Sequence, residues 1–596
     1  MNKFFKSAIA LAVLSATSVT CATAAVYEVQ DMGEVTNIKY TAANQFNANN
    51  EMAIAGSGIF NLPIQYEYLD EDDFDTIVAT AKSSHELVFG INDIEDEAAL
   101  RAGDPTANDL FWVQSFLATK SSDFEYQKLS DTVAIADVGS GSEELVIWDQ
   151  AFEGTSTLTR STDNMLNGIT NGGWLYGAGS APYLAVPFTK DDGVETTYFV
   201  RDFSLRGFFS KDSGTTILPL LAPTESEQPE ERRFGGESNI YNMSENSSFA
   251  VGYASTSLNE TILERIEGTE DGDCKNEEFL KTAPFEVCLQ AFMSSLYNLE
   301  AGKWTINSDN GYIFEKLGQL ITPHEEDTRS YSSQAFAVND YGVAVGRAHG
   351  WYKNNVTEPS KDEQVSLYAV IFKDDQVISI TEDTEKYFDS LAYDISNSGI
   401  AVGHTTTFVN GSARTKAFYV DTNADDPTMV VTESYFSGAS TTARAINNHG
   451  QMVGEGEVET HADDSSNPRR REGFIYDIET KKLANLNDLI KKKVDNKCVS
   501  DYTIVQARDI NDEGVIAATA LVKGEKRDLK GEPIIGEDGV AETEDIVRAV
   551  ILKPTVGGEV CDIEDEEEKV KRNGAGTGLL SVFSLLSLAF IRRFKK

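Results

Sequence analysis

The side chains that could do chemistry are abundant, but their spacing does not assemble them. Six histidines occur, at His85, His324, His349, His404, His449 and His461. None has the His-x-x-x-His or His-Glu-x-x-His spacing that sets two ligands on one helix face. No Gly-x-Ser-x-Gly elbow occurs to expose a nucleophile. His349 and His404 follow similar glycine motifs and could approach one rim together. Asp421, Asn423 and Asp425 place oxygen ligands at alternate positions, as a calcium loop does. That loop lacks glycine at its sixth position, Asp426, and the later glutamate, so an exposed turn is the plainer reading. Asp70 to Asp75 and Glu270 to Asp273 are looser versions of the same pattern. Trp112, Trp148, Trp174, Trp304 and Trp351 could stack on sugars, although such rings more often fill a core. No residue is assigned a catalytic role, and no cofactor is expected beyond weakly supported calcium.

Charge narrows the partners. The chain has 51 basic and 96 acidic residues, a net −45. That balance repels phosphate backbones and excludes nucleic acid as a partner. It also keeps a protein soluble in salt. Apolar residues make up 41% of the chain, enough for an ordinary packed core.

The elements that would position any site come from a repeat. A nine-residue pattern reads Val338 to Gly346, with Asn339, Gly342 and Gly346 as its fixed points. It returns from Ile395 to Gly403 with Gly399 and Gly403, and from Ile446 to Gly454 with Asn447, Gly450 and Gly454. A fading copy from Ile510 to Ala518 keeps Asn511 and Gly514. Weaker copies start at Phe46, Ile169 and Met243. Asn, Asp and Ser brace a turn by bonding back to the chain, and the glycine after them takes the left-handed conformation. Alternating apolar residues then continue as a half-buried strand, so each copy is a β-hairpin.

The unit from Ile395 to Ile446 reads as four strands. The first ends near Ile395, the second runs Ile400 to Val409, and Asn410-Gly411 turns the chain. The third is Lys416 to Asp421 and the fourth Thr428 to Thr432. Leu483 to Leu489 follows a third strand in the next unit, and Arg548 to Leu552 repeats that strand again. Four antiparallel strands per roughly 50 residues is the size of a propeller blade. The expected fold is therefore all-β, a propeller-like array of about seven four-stranded repeats, with six or eight as alternatives. A sandwich array or solenoid is the competing arrangement. Insertions are expected at Asp70–Asp75, Glu95–Thr119 and Glu225–Glu237, with a short helix at Ile94 to Arg101 and an elaborated loop at Glu260 to Ser308.

The two ends carry address signals. Lys3 and Lys6 precede an apolar run from Ala8 to Val19 and the small residues Ala22-Thr23-Ala24. This is the layout of a secretory signal peptide, residues 1–24, with cleavage after Ala24 or Ala25. After export, Cys274, Cys288, Cys498 and Cys561 remain, an even count that suggests disulfides. Neighbours in sequence would pair as Cys274–Cys288 and Cys498–Cys561, one of three connectivities. The β-repeat domain would span residues 25–561 and an acidic-then-basic linker 562–573. Residues 574–596 then hold Gly574, Gly576 and Gly578, an apolar segment Leu579 to Ile591, and a basic end. As a helix that segment is too short for a hydrocarbon core of about 30 Å.

The tail resembles the GlyGly-CTERM sorting signal, although its glycines alternate instead of pairing. The resemblance implies cleavage near Gly574, Gly576 and Gly578 by a rhombosortase-like protease, after signal peptidase has acted at the other end. It implies an envelope or cell-surface address in a Gram-negative bacterium. The tail would be the only membrane contact, transient or permanent. The Ile-Asn-x-x-Gly-x-x-Val-Gly motif resembles the HAF repeat of extracellular bacterial proteins. With the tail, the chain resembles an uncharacterised envelope family, domain of unknown function 3466. That resemblance implies a propeller-like fold and no reaction. The expected role is a noncatalytic module that binds a protein or glycan. A hydrolase or lyase using channel carboxylates and a structural envelope component are the alternatives. Acids converging with a histidine or arginine at the channel would favour the enzyme.

Overall fold

The computed structural model describes residues 26–561, apart from 229–233, 354–355, 357, 464–466, 495–496 and 558–559. The expected signal peptide and linker and the glycines of the expected sorting tail lie outside the described residues. Two compact units divide the chain, Met1–Ile490 with Ser500–Val560, and Lys491–Val499 with Cys561–Lys596. In the second, Lys492–Val494 pairs with Lys497–Val499 as a hairpin, and Cys498 is bonded to Cys561. Among the described residues no helix is long and apolar enough to cross a membrane.

The first unit is a seven-bladed propeller. Six blades are consecutive in sequence, each with its strands ordered from the axis outward. Blade 1 begins with Ile38–Phe46, blade 2 with Asn164–Ile169 and blade 3 with Ser238–Met243. Blades 4, 5 and 6 begin with Ser333–Val338, Asp389–Ile395 and Thr441–Ile446. Blade 7 takes three strands from the C-terminal part, Thr503–Ile510, Ile516–Glu525 and Thr543–Thr555. Its outer strand is Val26–Asp31, paired antiparallel from Val26 opposite Thr555 to Asp31 opposite Val550. The ring is thus closed by joining the two ends of the repeat array, which no single copy of the motif announces.

Each junction between blades has its own apolar cluster. Leu166 and Phe208 fill the space between blades 1 and 2, Ile240 and Trp304 that between 2 and 3, and Phe372 and Val251 that between 3 and 4. Phe418 packs between blades 4 and 5, Phe474 between 5 and 6, and Tyr27 with Ile504 between 6 and 7. Ile54 and Ile551 seal the last junction, between 7 and 1. A fully buried Phe or Ile side chain contributes about 2 kcal/mol, so the seven seams stabilise the ring collectively.

The second strand and hairpin expected in blade 5 are present at Ile400–Val409 and Asn410-Gly411, with positive φ at both turn residues. The third strand is longer, Ser412–Asp421, and the fourth shrinks to Val430–Val431. In blade 6 the outer strand is Lys482–Asn485, and Leu486–Leu489 is a helical turn. Residues 60–132, within blade 1, fold into helices at Glu71–Ser84, Glu97–Arg101 and Ala107–Thr119 around Phe74, Ile77 and Trp112. The acidic run at Asp70 to Asp75 is a helix start: Asp70 and Asp73 form a reciprocal capping box. The elaborated loop holds helices Glu260–Glu267 and Phe285–Leu296, pinned by Cys274–Cys288 with a Cα separation of 5.3 Å.

Candidate functional site: the axial channel

The repeated turns ring one mouth of the axial channel. In each, the residue that opens the turn donates its N–H across it, as Asn339 does to Val343 O at 3.1 Å and Asn447 to Gln451 O at 3.1 Å. The side-chain oxygen of Asn339 accepts from the N–H groups of Tyr341 and Val343, and Asn511 accepts from Val515. Gly342, Gly399, Gly450 and Gly514 have φ between 75° and 86°. Asn50 and Ser247 hold the same left-handed position in blades 1 and 3. The next residues link the blades: Asp340 N–H donates to Asn397 Oδ1 at 2.8 Å, Ser398 N–H to Asn448 Oδ1 at 3.1 Å, and Asn448 Nδ2 to Asp512 Oδ2 at 2.9 Å. These motif residues therefore have structural work. They enclose a cavity of 180 Å³ lined also by Glu245, Asp394 and Asp509.

The motif's last glycine has a different task. In blades 2 to 6 the innermost strand carries a bulge, and the second strand places a glycine against it. A Cβ built on Gly346, Gly403 or Gly454 would lie 1.9 Å from the carbonyl oxygen of Gln334, Leu391 or Thr442. Glycine is required because the bulge pushes that carbonyl toward the neighbouring strand. Blade 7 has Ala518 at this position, and its inner strand bulges twice, at Val505 and Arg508.

The bulge residues stand three positions before the turn in every blade: Asn44, Asn167, Tyr241, Phe336, Tyr393, Arg444 and Arg508. They are half-buried, although the alanines flanking Phe336 are fully buried. They also meet their neighbours around the axis. Tyr241 and Phe336 stack at 4.3 Å, Phe336 meets Tyr393 edge-on at 6.0 Å, and the Arg444 guanidinium lies 4.5 Å from the Tyr393 ring centre. A second tier comes from the residue after each glycine. Tyr253 packs on Tyr241, Arg347 on Phe336 and His404 on Tyr393. Glu455 pairs with Arg444 at 2.7 Å.

Two electrostatic environments result. At the turn end, burial raises Asp394 to about 6 and Asp509 to about 7. Burial, then Asp340 and Asp512, raise Glu245 to about 7. Asp394 accepts from the Ile446 N–H at 2.8 Å and Asp509 from the Phe46 N–H at 3.1 Å, so each ties one inner strand to the next. In the bulge band, burial and then Arg444 lower His404 to about 4, so its ring is neutral at pH 7. Its Nδ1 is buried without a hydrogen-bond partner.

Other expected site residues lie elsewhere. His349 does not share the position of His404: it is third after its glycine and sits against Ser332 and Tyr331. Asp421 accepts from the Asn423 N–H at 2.9 Å, and Asn423 turns its amide to Ser398 O, so the calcium pattern is an Asx turn. Among the described residues no group of three or more His, Cys, Asp or Glu is placed to hold a metal ion. Asp273 of the second acidic cluster is paired with Arg265 at 2.7 Å. Trp304 and Trp112 fill apolar cores. The bulge band was not singled out by motif reading. Its signal is positional, in the residue three before each turn, and its residue types differ from blade to blade.

A family model described as "Protein of unknown function (DUF3466)" matches residues 3–594, and the chain belongs to that family. No curated protein matches the chain. Among solved structures, the chain is similar to an oligogalacturonate lyase from Vibrio parahaemolyticus, at 9% identity and a TM-score of 0.36 over 89% of this chain and 96% of that one. It is also similar to prolyl oligopeptidase B from Galerina marginata, at 9% identity and a TM-score of 0.27 over 60% and 44% of the two chains. An α-L-arabinofuranosidase from Podospora anserina matches at 11% identity and a TM-score of 0.18 over 53% and 88%. Similarity at these levels carries no statement about activity.

Proposed function

Taking a chain of that family as the premise, we propose that this propeller is an exported, noncatalytic module that binds a ligand in its axial channel. The observation that carries the reading is the two-tier band. Seven bulges, held open in five blades by glycines, turn side chains of binding character toward the axis. Aromatic and arginine groups supply large contact areas at low entropic cost. The two disulfides fit an extracellular or periplasmic address, in keeping with the leader. The test of binding is retention of envelope glycans and peptides by the immobilised protein, read by mass spectrometry. Tyr393→Ala should lower retention of the captured ligand at least about tenfold at an unchanged unfolding midpoint, the loss expected of an aromatic anchor. Equal retention by the variant sinks the reading. The test of export is the mass of the mature protein. A start at Ala25 and an end near Gly574–Gly578 are expected, and an intact Lys596 overturns processing of the tail.

One observation favours a second reading, a hydrolase or lyase. Burial raises Asp509 and Glu245 to about 7 and Asp394 to about 6, toward the range a general acid needs, and Arg508 adjoins Asp509 in the chain. Turnover of a captured glycan or peptide, abolished by Glu245→Gln, would establish it. Asp394 and Asp509 already have a structural use in tying inner strands, so binding remains the leading reading.

A further inference from the structure

In blades 3 to 6 each bulge side chain has a companion on the second strand. Blade 7 breaks the rule. Its bulge residue is Arg508, and the residue after Ala518 is Thr519, whose hydroxyl accepts from the Ala43 N–H at 3.2 Å. Among the described residues, Arg508 has no hydrogen-bond or ion-pair partner. Burial and then Arg444 work against its charge, while Glu455, Tyr393 and Asp509 favour it in smaller measure. Arg444 is itself neutralised by Glu455 through both Nε and Nη2. A partly buried guanidinium with no hydrogen-bond partner among the described residues, near one already paired, has donors that an incoming anion could satisfy.

We propose that Arg508 is the anchor of a carboxylate-binding subsite in the channel, in which the ligand's ring or apolar face packs against Tyr393 and Phe336. Arg508 offers a planar fork of donors, which a carboxylate matches with two parallel bonds. The chain's overall −45 charge would repel such a ligand everywhere else, so this local positive spot confers selectivity. The neutral ring of His404 adds a polar contact without a second charge to satisfy. The inference rests on the binding reading above and narrows it to one chemistry. Two sources carry that chemistry, an acidic sugar and a peptide C-terminus.

Titration calorimetry on the full chain separates them with matched probes: glucuronic acid against glucose, and N-acetylphenylalanine against its amide. At least one acid should bind tenfold or more tightly than its neutral partner. Preference for glucuronic acid identifies a sugar source, and preference for N-acetylphenylalanine a peptide source. Arg508→Gln should abolish that preference, and Arg508→Lys should retain part of it. Should Arg508→Gln fail to fold, the wild-type acid affinity must fall steeply with added salt while that of the neutral probe does not. Equal binding of acid and neutral partner, or full acid preference in Arg508→Gln, overturns the carboxylate site. If that variant keeps its ligand while Tyr393→Ala loses it, the carboxylate inference falls and the binding reading stands. If neither variant changes retention, both fall.

Discussion

The two faces of the propeller obey different rules. On one, seven short turns of nearly equal design join first to second strands and bond to one another from blade to blade. On the other, the connections between second and third strands vary from the tight Asn410-Gly411 turn to the helical insertion at 60–132. The elaborated connections cluster. Phe199 N–H donates to Phe124 O at 2.7 Å, Asp191 N–H to Lys281 O at 2.9 Å, and Asn61 N–H to Leu529 O at 2.7 Å. Blades 7, 1, 2 and 3 are thereby walled, whereas blade 5 is left low. The aromatic and arginine bulges start at blade 3 and run through the low side. The repeated face sets the geometry of the channel, and the variable face sets access to it.

That division can be broken experimentally. The largest effect is expected at the motif's last glycine. Gly403→Ala places a methyl group 1.9 Å from the Leu391 carbonyl oxygen and should cost about 3 kcal/mol or more in urea unfolding. Removing the disulfide of the wall as Cys274→Ser with Cys288→Ser should cost the wall about 3 kcal/mol. Hydrogen exchange should then show lost protection in 260–296 and none in the inner strands.

The acidic mouth gives a pH dependence of defined sign. Asp394 and Asp509 titrate above the ordinary carboxyl range, so the folded state holds their protons more tightly than the unfolded chain does. Their contribution is fully present below about pH 4 and is lost as pH rises through about 6 and about 7. Between pH 5.5 and 8 these two groups should lower the unfolding stability by about 3 kcal/mol, a decline reduced in Asp394→Asn and reduced further in Asp509→Asn. The smallest effect is expected on the variable face. Inserting roughly four Gly and Ser residues between Asn410 and Gly411 should cost under about 1 kcal/mol. The same insertion at His449 should cost several times more, because it separates Asn448 from Asp512.

What was legible follows from where the physics is local. Turn chemistry is local, so Asn339, Gly342 and their equivalents announced a hairpin repeat, and the spacing announced blades. The glycine at Gly346, Gly403 and Gly454 was legible as a fixed point of the repeat, but what approaches it was not. The bulge lies on a partner strand, and a one-residue insertion leaves no signature in composition. The channel residues were hidden because Asn167, Phe336 and Arg444 have only their position in common. The helix Glu71–Ser84 was read as an acidic insertion because its buried stripe is only Phe74, Ile77 and Ala81. The edge strand Val26–Asp31 was invisible as a blade member because its partner lies over five hundred residues away.

That last separation has a kinetic consequence. The strand Val26–Asp31 is synthesised first, and its partner Thr543–Thr555 nearly last. Until the partner emerges, the seam between blades 7 and 1 stays unsealed, with Ile54 on one side waiting for Ile551 on the other. The closing contact therefore joins the first and the last described strands of the propeller, and contacts of such large sequence separation form slowly. In a chain made from its N-terminus this seam is sealed only once Thr543–Thr555 is available, so the fold itself delays its final locking until the seventh blade can assemble.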